Sequence, residues 1–234
     1  LENTNGANGL ALAPNGDLYA VQVLKPRVGI VFPDTKRRVL VEQFEGKGFG
    51  RPNDIVLDSK GGVYFTDSGS TPGRPTPDGI NPPAVYYISP KGDVKRLAND
   101  IERPNGIQLS TDEKVLYVAN TGGEQVLAYD ITAPGTLGPR RNFAKLEGFK
   151  QTENGPSSGA DGLAVDAEGR VFVASNTGIQ VFSSTGQALG TIALPKQPQN
   201  LAFAGEDKKT LYVVGRGAAY KINTLTAGYA GRAK

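Results

Sequence analysis

Three oxygen-bearing side chains recur at the same place in a repeated pattern: Asn53 in "RPND" (51–54), Asn105 in "RPNG" (103–106) and Asp161 in "ADG" (160–162). Amide carbonyls and a carboxylate are hard oxygen ligands. They suit Ca²⁺ or Mg²⁺ rather than a soft metal. A cation held this way polarises an ester carbonyl, and an adjacent carboxylate activates water. Composition narrows the chemistry to such groups. The chain contains no His and no Cys, which excludes a Ser-His-Asp triad, a His-ligated zinc, a thiolate metal site and a disulfide. The residues admit a second reading. Asn, Asp and Gly are turn formers, and a turn precedes each of these strands.

The elements that must position these side chains are strands. Five segments align, beginning at Asn8, Asn53, Asn105, Asp161 and Gln199. Each has a short apolar alternation, a polar turn and a second strand that carries an aromatic residue. The apolar pairs are Leu10/Leu12, Ile55/Leu57, Ile107/Leu109, Leu163/Val165 and Leu201/Phe203; the aromatics are Tyr19, Tyr64, Tyr117, Phe172 and Tyr212. Asn15-Gly16, Gly61-Gly62 and Glu168-Gly169 are hairpin turns. A second, more polar hairpin follows each of the first four pairs. The unit is therefore four antiparallel strands over roughly 40–55 residues, the period of a β-propeller blade. The last repeat, ending near "AAYKI", shows three strands. No useful helical periodicity appears. The expected fold is all-β, a single β-propeller domain over residues 1–234 with about five blades.

In a propeller the first strand of each blade lines the axis. Asn8, Asn53, Asn105, Asp161 and Gln199 then form a polar ring on one face. The second strand returns to that face and brings Asp67, Asn120 and Ser175 close by. Insertions at 67–83 and 149–160 should rim the same face. A further insertion, 130–142, links the outer strands of the third repeat.

The chain has 234 residues, 38% of them hydrophobic, with 31 Gly and 16 Pro, as a turn-rich single domain requires. Lys and Arg number 26 against 23 acidic residues, a net charge of +3. The cations are scattered, which reads as a solvated surface and not a nucleic-acid footprint. No apolar run approaches the roughly 18 residues of a membrane span. The sequence has no Met, which predicts a start inside a longer gene product and leaves the compartment unread.

"RPNDIVLDSKGGVYFTDSG", "RPNGIQLSTDEKVLYVAN" and "GADGLAVDAEGRVFVAS" together resemble the three central signatures of the gluconolactonase / regucalcin / luciferin-regenerating-enzyme family. The resemblance runs in order along essentially the whole chain. It implies a six-bladed propeller with one divalent cation in the central tunnel, Ca²⁺ first and Mg²⁺, Mn²⁺ or Zn²⁺ as alternatives. It implies Asn53, Asn105 and Asp161 as metal ligands, and Asp161 as the acid/base. Arg51 and Asn53 would contact substrate, with Asp54 and Asp67 supporting the site. Arg103 occupies the place of Arg51 one repeat on, where blade-to-blade packing or a salt bridge is the expected role. The implied reaction is metal-dependent hydrolysis of a sugar lactone or related ester. The partner would be a small-molecule lactone met by a monomer or weak oligomer, without nucleic acid. A non-catalytic Ca²⁺- or ligand-binding scaffold is the alternative, since propellers host many functions. The sequence departs from the family at its start. The "EGP" motif whose Glu is the fourth ligand is absent, and "LENTNGANG" matches the family's second blade. A missing first blade is the expectation, with fewer ligand charges, weaker cation binding and two unpaired flanks.

Overall fold

A computed structural model describes residues 2–70 and 74–232. Alternating apolar residues and Gly-bearing turns fold as expected into short antiparallel strands, grouped among the described residues in five blade sheets and two small two-stranded sheets. The first blade comprises Ala7–Leu12, Leu18–Gln22, Arg27–Phe32 and Arg38–Val41. The second comprises Pro52–Leu57, Val63–Asp67, Ala84–Ile88 and Val94–Ala98. The third comprises Pro104–Leu109, Val115–Asn120, Gln125–Ala133 and Thr136–Lys145. The fourth comprises Leu163–Val165, Val171–Ser175, Gly178–Phe182 and Ala188–Ile192. The fifth has three strands, Asn200–Ala204, Thr210–Gly215 and Ala218–Asn223. Among the described residues, the helical content is a single 3-10 turn at Asp34–Lys36.

Period-two alternation sends the two faces of each blade to different neighbours. The apolar pair of an inner strand packs on the preceding blade. Ile55 and Leu57 join a cluster with Val21 and Val28 of the first blade; Ile107 and Leu109 join Tyr64 and Tyr87 of the second. The repeat aromatic packs on the following blade. Tyr64 meets the third blade, Tyr117 the fourth, and Phe172 stacks edge-on against Phe203 of the fifth at 5.2 Å. In the middle blades both faces are therefore covered, and Val63–Asp67 and Ala84–Ile88 are buried at every position. The outermost blades keep one covered face. Leu10 and Leu12 on the first blade are 41% and 45% exposed, and Tyr212 and Val214 on the fifth are 46% and 50% exposed.

The two insertions flank the face where the inner strands begin. The 67–83 loop docks through Asn81, whose amide donates to the carbonyls of Phe44, Lys47 and Gly48. Part of this predicted rim, residues 71–73, lies outside the described residues. A cleft of about 530 Å³ opens beside this loop, with Gly50, Ser70, Pro77 and Ile80 in its wall. The 149–160 insertion forms the small hairpin Lys150–Thr152 and Gly155–Ser157.

Candidate functional site

The ring residues escape their own ladders. Pairing registers shift between Ala7 and Leu10, between Pro52 and Ile55, and between Pro104 and Ile107. The residues skipped are Asn8-Gly9, Asn53-Asp54 and Asn105-Gly106. A bulge at the mouth of each inner strand re-aims the side chain out of the pleat. The glycines that follow permit close approach. A Cβ on Gly106 would lie 2.1 Å from the carbonyl oxygen of Asp161, and one on Gly162 would lie 2.1 Å from Asn200 Oδ1. Neighbouring inner strands therefore nearly touch, and Asn53, Asn105 and Asp161 come from consecutive blades.

Each asparagine is oriented by the same device. Asn53 Nδ2 donates to Ser68 Oγ at 3.0 Å, and Ser68 Oγ donates to the Pro104 carbonyl at 2.6 Å. Asn105 Nδ2 donates to Thr121 Oγ1 at 2.9 Å, and Thr121 Oγ1 donates to the Ala160 carbonyl at 2.5 Å. Each hydroxyl spends its proton on the next blade, so it can only accept from the amide. That fixes the amide nitrogen outward and turns the oxygen to the axis. Asn105 is 8% exposed, and its Oδ1 has no hydrogen-bond partner. A buried acceptor left open in this way calls for a ligand.

Asp161 stands partly buried beside them. Its backbone N–H is bonded to the Ala174 carbonyl at 3.0 Å, and among the described residues no donor reaches its carboxylate. Burial, reinforced by the Asp54 carboxylate, pushes its carboxyl up to about 7 against the pull of Arg103, Arg216 and Arg51.

The remaining predicted residues take other places. Asp54 is buried between blades. It accepts from the Ile107 N–H at 3.0 Å and from the Ile55 N–H at 2.9 Å, and so ties the second inner strand to the third. Asp67 accepts three backbone N–H bonds, from Gly50, Arg51 and Gly69 at 2.7–2.8 Å. Burial pushes its carboxyl up while those three donors pull it down. Its effect is to hold the backbone that carries Arg51, whose side chain is exposed. Asn120 and Ser175 also turn back into their own blades. Asn120 Oδ1 accepts from the Arg103 N–H, and Ser175 Oγ donates to the Gly178 carbonyl. Asn8 and Gln199, the outer members of the ring, bond to backbone, at the Asn53 carbonyl and the Arg216 N–H. Ser68 and Thr121 do the orienting, and the sequence reading passed over them. Their signal was one position further on, the first residue after the second strand in "YFTDS" and "YVANT".

The axial set therefore offers one carboxylate and two oriented amide oxygens. Among the described residues no three carboxylates converge. The donor chemistry and the open Asn105 Oδ1 fit a hard divalent cation, and the low charge predicts modest affinity.

A family described as the SMP-30/Gluconolactonase/LRE-like region matches residues 2–216. The chain belongs to this family. Gluconolactonase from Zymomonas mobilis is 32% identical over 95% of this chain and 64% of that protein. Lactonohydrolase oryL from Aspergillus oryzae is 26% identical over 91% of this chain and 53% of that protein. The chain thus spans between half and two thirds of these relatives' length. Among solved structures, a gluconolactonase from Xanthomonas campestris superposes with a TM-score of 0.80 at 28% identity, covering 95% of this chain and 73% of that one.

Proposed function

We propose that this protein is a divalent-cation-dependent hydrolase of sugar lactones or related cyclic esters. The observation that carries the reading is the open Asn105 Oδ1 on one blade and, on the next, a carboxyl at Asp161 that burial pushes up to about 7. Asn53, Asn105 and Asp161 would hold the cation, Ca²⁺ first, which when bound polarises the lactone carbonyl. The protein's own groups do the rest. Asp161 takes a proton from water as the water oxygen attacks the carbonyl carbon. The ring C–O bond then breaks, Asp161 returns the proton to the departing ring oxygen, and a hydroxy acid leaves. Asn53 and Arg51 orient the substrate oxygens. Ser68 and Thr121 keep both amides in register, and Asp54 and Asp67 fix the strands beneath them.

The names of the relatives support the lactone, and the hardness of the donor set supports the cation. The test is a pH-stat assay on glucono-1,5-lactone with added Ca²⁺, Mg²⁺ or Mn²⁺, then with chelator. Turnover that needs the cation and is lost in Asp161→Asn supports the reading. Cation binding by calorimetry without turnover on any lactone would replace it with a binding scaffold.

A further inference from the structure

Arg37, Arg96, Arg140, Arg141, Arg170 and Arg232 each form an ion pair. Among the described residues Arg27, Arg38 and Arg74 form none, and neither do Arg51, Arg103 and Arg216 on the site face, whose charges act on the Asp161 carboxylate. Among the described residues the side chains of these last three make neither an ion pair nor a hydrogen bond, although their backbones are firmly held.

Their backbones are tied to the ends of the ring strands. Arg51 and Arg103 stand two residues ahead of Asn53 and Asn105 on consecutive blades. Arg216 arrives from the fifth blade. Its N–H donates to Gln199 Oε1 at 3.0 Å, and the Gln199 carbonyl accepts from the Gly162 N–H at 2.9 Å, next to Asp161. All three cations act on Asp161, and the charge of Arg51 is felt at Arg103. The nearby carboxylates are committed elsewhere: Asp67 to three backbone N–H groups and Glu102 to the Asn120 amide. Gathering like charges without a partner costs stability, and planar guanidiniums match the oxygens of a carboxylate or phosphate.

We propose that the substrate carries an anionic group, a phosphate or a carboxylate, gripped by Arg51, Arg103 and Arg216 while its lactone carbonyl lies at Asn53, Asn105 and Asp161. This rests on the hydrolase reading and names its substrate class. The neutral sugar lactone becomes the poorer substrate, because it offers the three guanidiniums no anionic oxygens to grip.

The experiment compares kcat/KM for glucono-1,5-lactone, for its 6-phosphate ester and for a glucarolactone bearing a free carboxylate, at fixed Ca²⁺ and ionic strength. An anionic lactone should be preferred at least about tenfold, and Arg216→Gln or Arg103→Gln should each cut that ratio by about tenfold. The ratio should also fall with added salt. Which anionic lactone leads distinguishes phosphate from carboxylate. Arg216 is exposed, so its variant tests the idea without risk to folding. A ratio of one, or a ratio that neither substitution moves, overturns the inference. If no lactone is turned over, calorimetry with gluconate and 6-phosphogluconate decides. Arginine-dependent preference for the phosphorylated acid keeps the anion site and sinks the hydrolase, whereas equal binding sinks the anion site.

Discussion

The two faces of this propeller confront the same difficulty, polar groups held away from water, and resolve it in opposite ways. On the far face most of these groups find partners, although Arg232 Nε is buried without one. Asp166 is fully buried; its Oδ1 accepts the Glu168 and Arg170 N–H groups, and its Oδ2 pairs with Arg170 Nε at 2.6 Å. Asp58 accepts the N–H groups of Lys60 and Gly62 in the equivalent turn of the second blade. Near the end of the chain, Arg232 pairs with Glu113 at 3.0 Å and donates to the carbonyls of Leu109 and Ser110. Glu113 in turn accepts from the N–H and hydroxyl of Ser59, so the tail staples the second and third blades together. On the near face, Asn105 Oδ1, the Asp161 carboxylate and three arginines are left open. Aspartates of one chemical type serve as turn caps on one side and as a partly buried, open oxygen ligand on the other. Tyr86 Oη and Arg232 Nε are also buried without a partner, so an open polar atom marks a site only where other ligand-type groups surround it, as at Asn105 and Asp161.

The comparison breaks most visibly at Asp161. Asp161→Asn should lower cation-supported lactone hydrolysis by about 10²- to 10⁴-fold, the usual worth of a general acid/base. A loss below threefold in the pH-stat assay would remove Asp161 from the chemistry. The far face should answer in stability instead. Glu113→Ala strands Arg232 in a site where its side chain is 8% exposed, at a cost of about 3 kcal/mol. Urea unfolding should show that loss while turnover at 25 °C stays within twofold. Equal turnover losses at both faces would erase the distinction.

Thr121→Val sharpens it further. Removing the hydroxyl frees the Asn105 amide to rotate, and Ca²⁺ affinity by calorimetry should fall about 10- to 100-fold. The smallest effect lies in pH dependence. The folded protein binds the Asp161 proton more tightly than the unfolded chain, whose carboxyl titrates near 3.8, and its own value is about 7. Folding therefore takes up a proton between about pH 4 and pH 7, and stability falls as pH rises through that window. In chelator, Asp161→Asn should be the more stable protein at pH 8, by on the order of 1–2 kcal/mol, and the gap should close at pH 4. Saturating Ca²⁺ should reverse the order at pH 8.

Much of this was legible in the chain because a propeller writes its period into its residues. The apolar pair and the aromatic of each repeat name the two faces that a blade must bury. Asn53, Asn105 and Asp161 fell in register because every inner strand begins at the same distance from the axis. The number of strands in the fifth blade could be read from its length. The hydroxyls of Ser68 and Thr121 were less legible. Their role depends on a carbonyl one blade away, at Pro104 and Ala160, and no spacing within a repeat encodes a neighbour. Asp67 and Asn120 looked equivalent to them by position, yet a one-residue step along a strand end reverses the direction of a side chain.

The sequence by itself determined the all-β repeat and excluded His and Cys chemistry, because strand periodicity and residue type are local properties. Only the tertiary structure decided which polar groups are saturated and which stay open. That depends on what the adjacent blade presents across a gap of about one hydrogen bond. It also brought Arg216, from the far end of the chain, to the same mouth as Arg51 and Arg103.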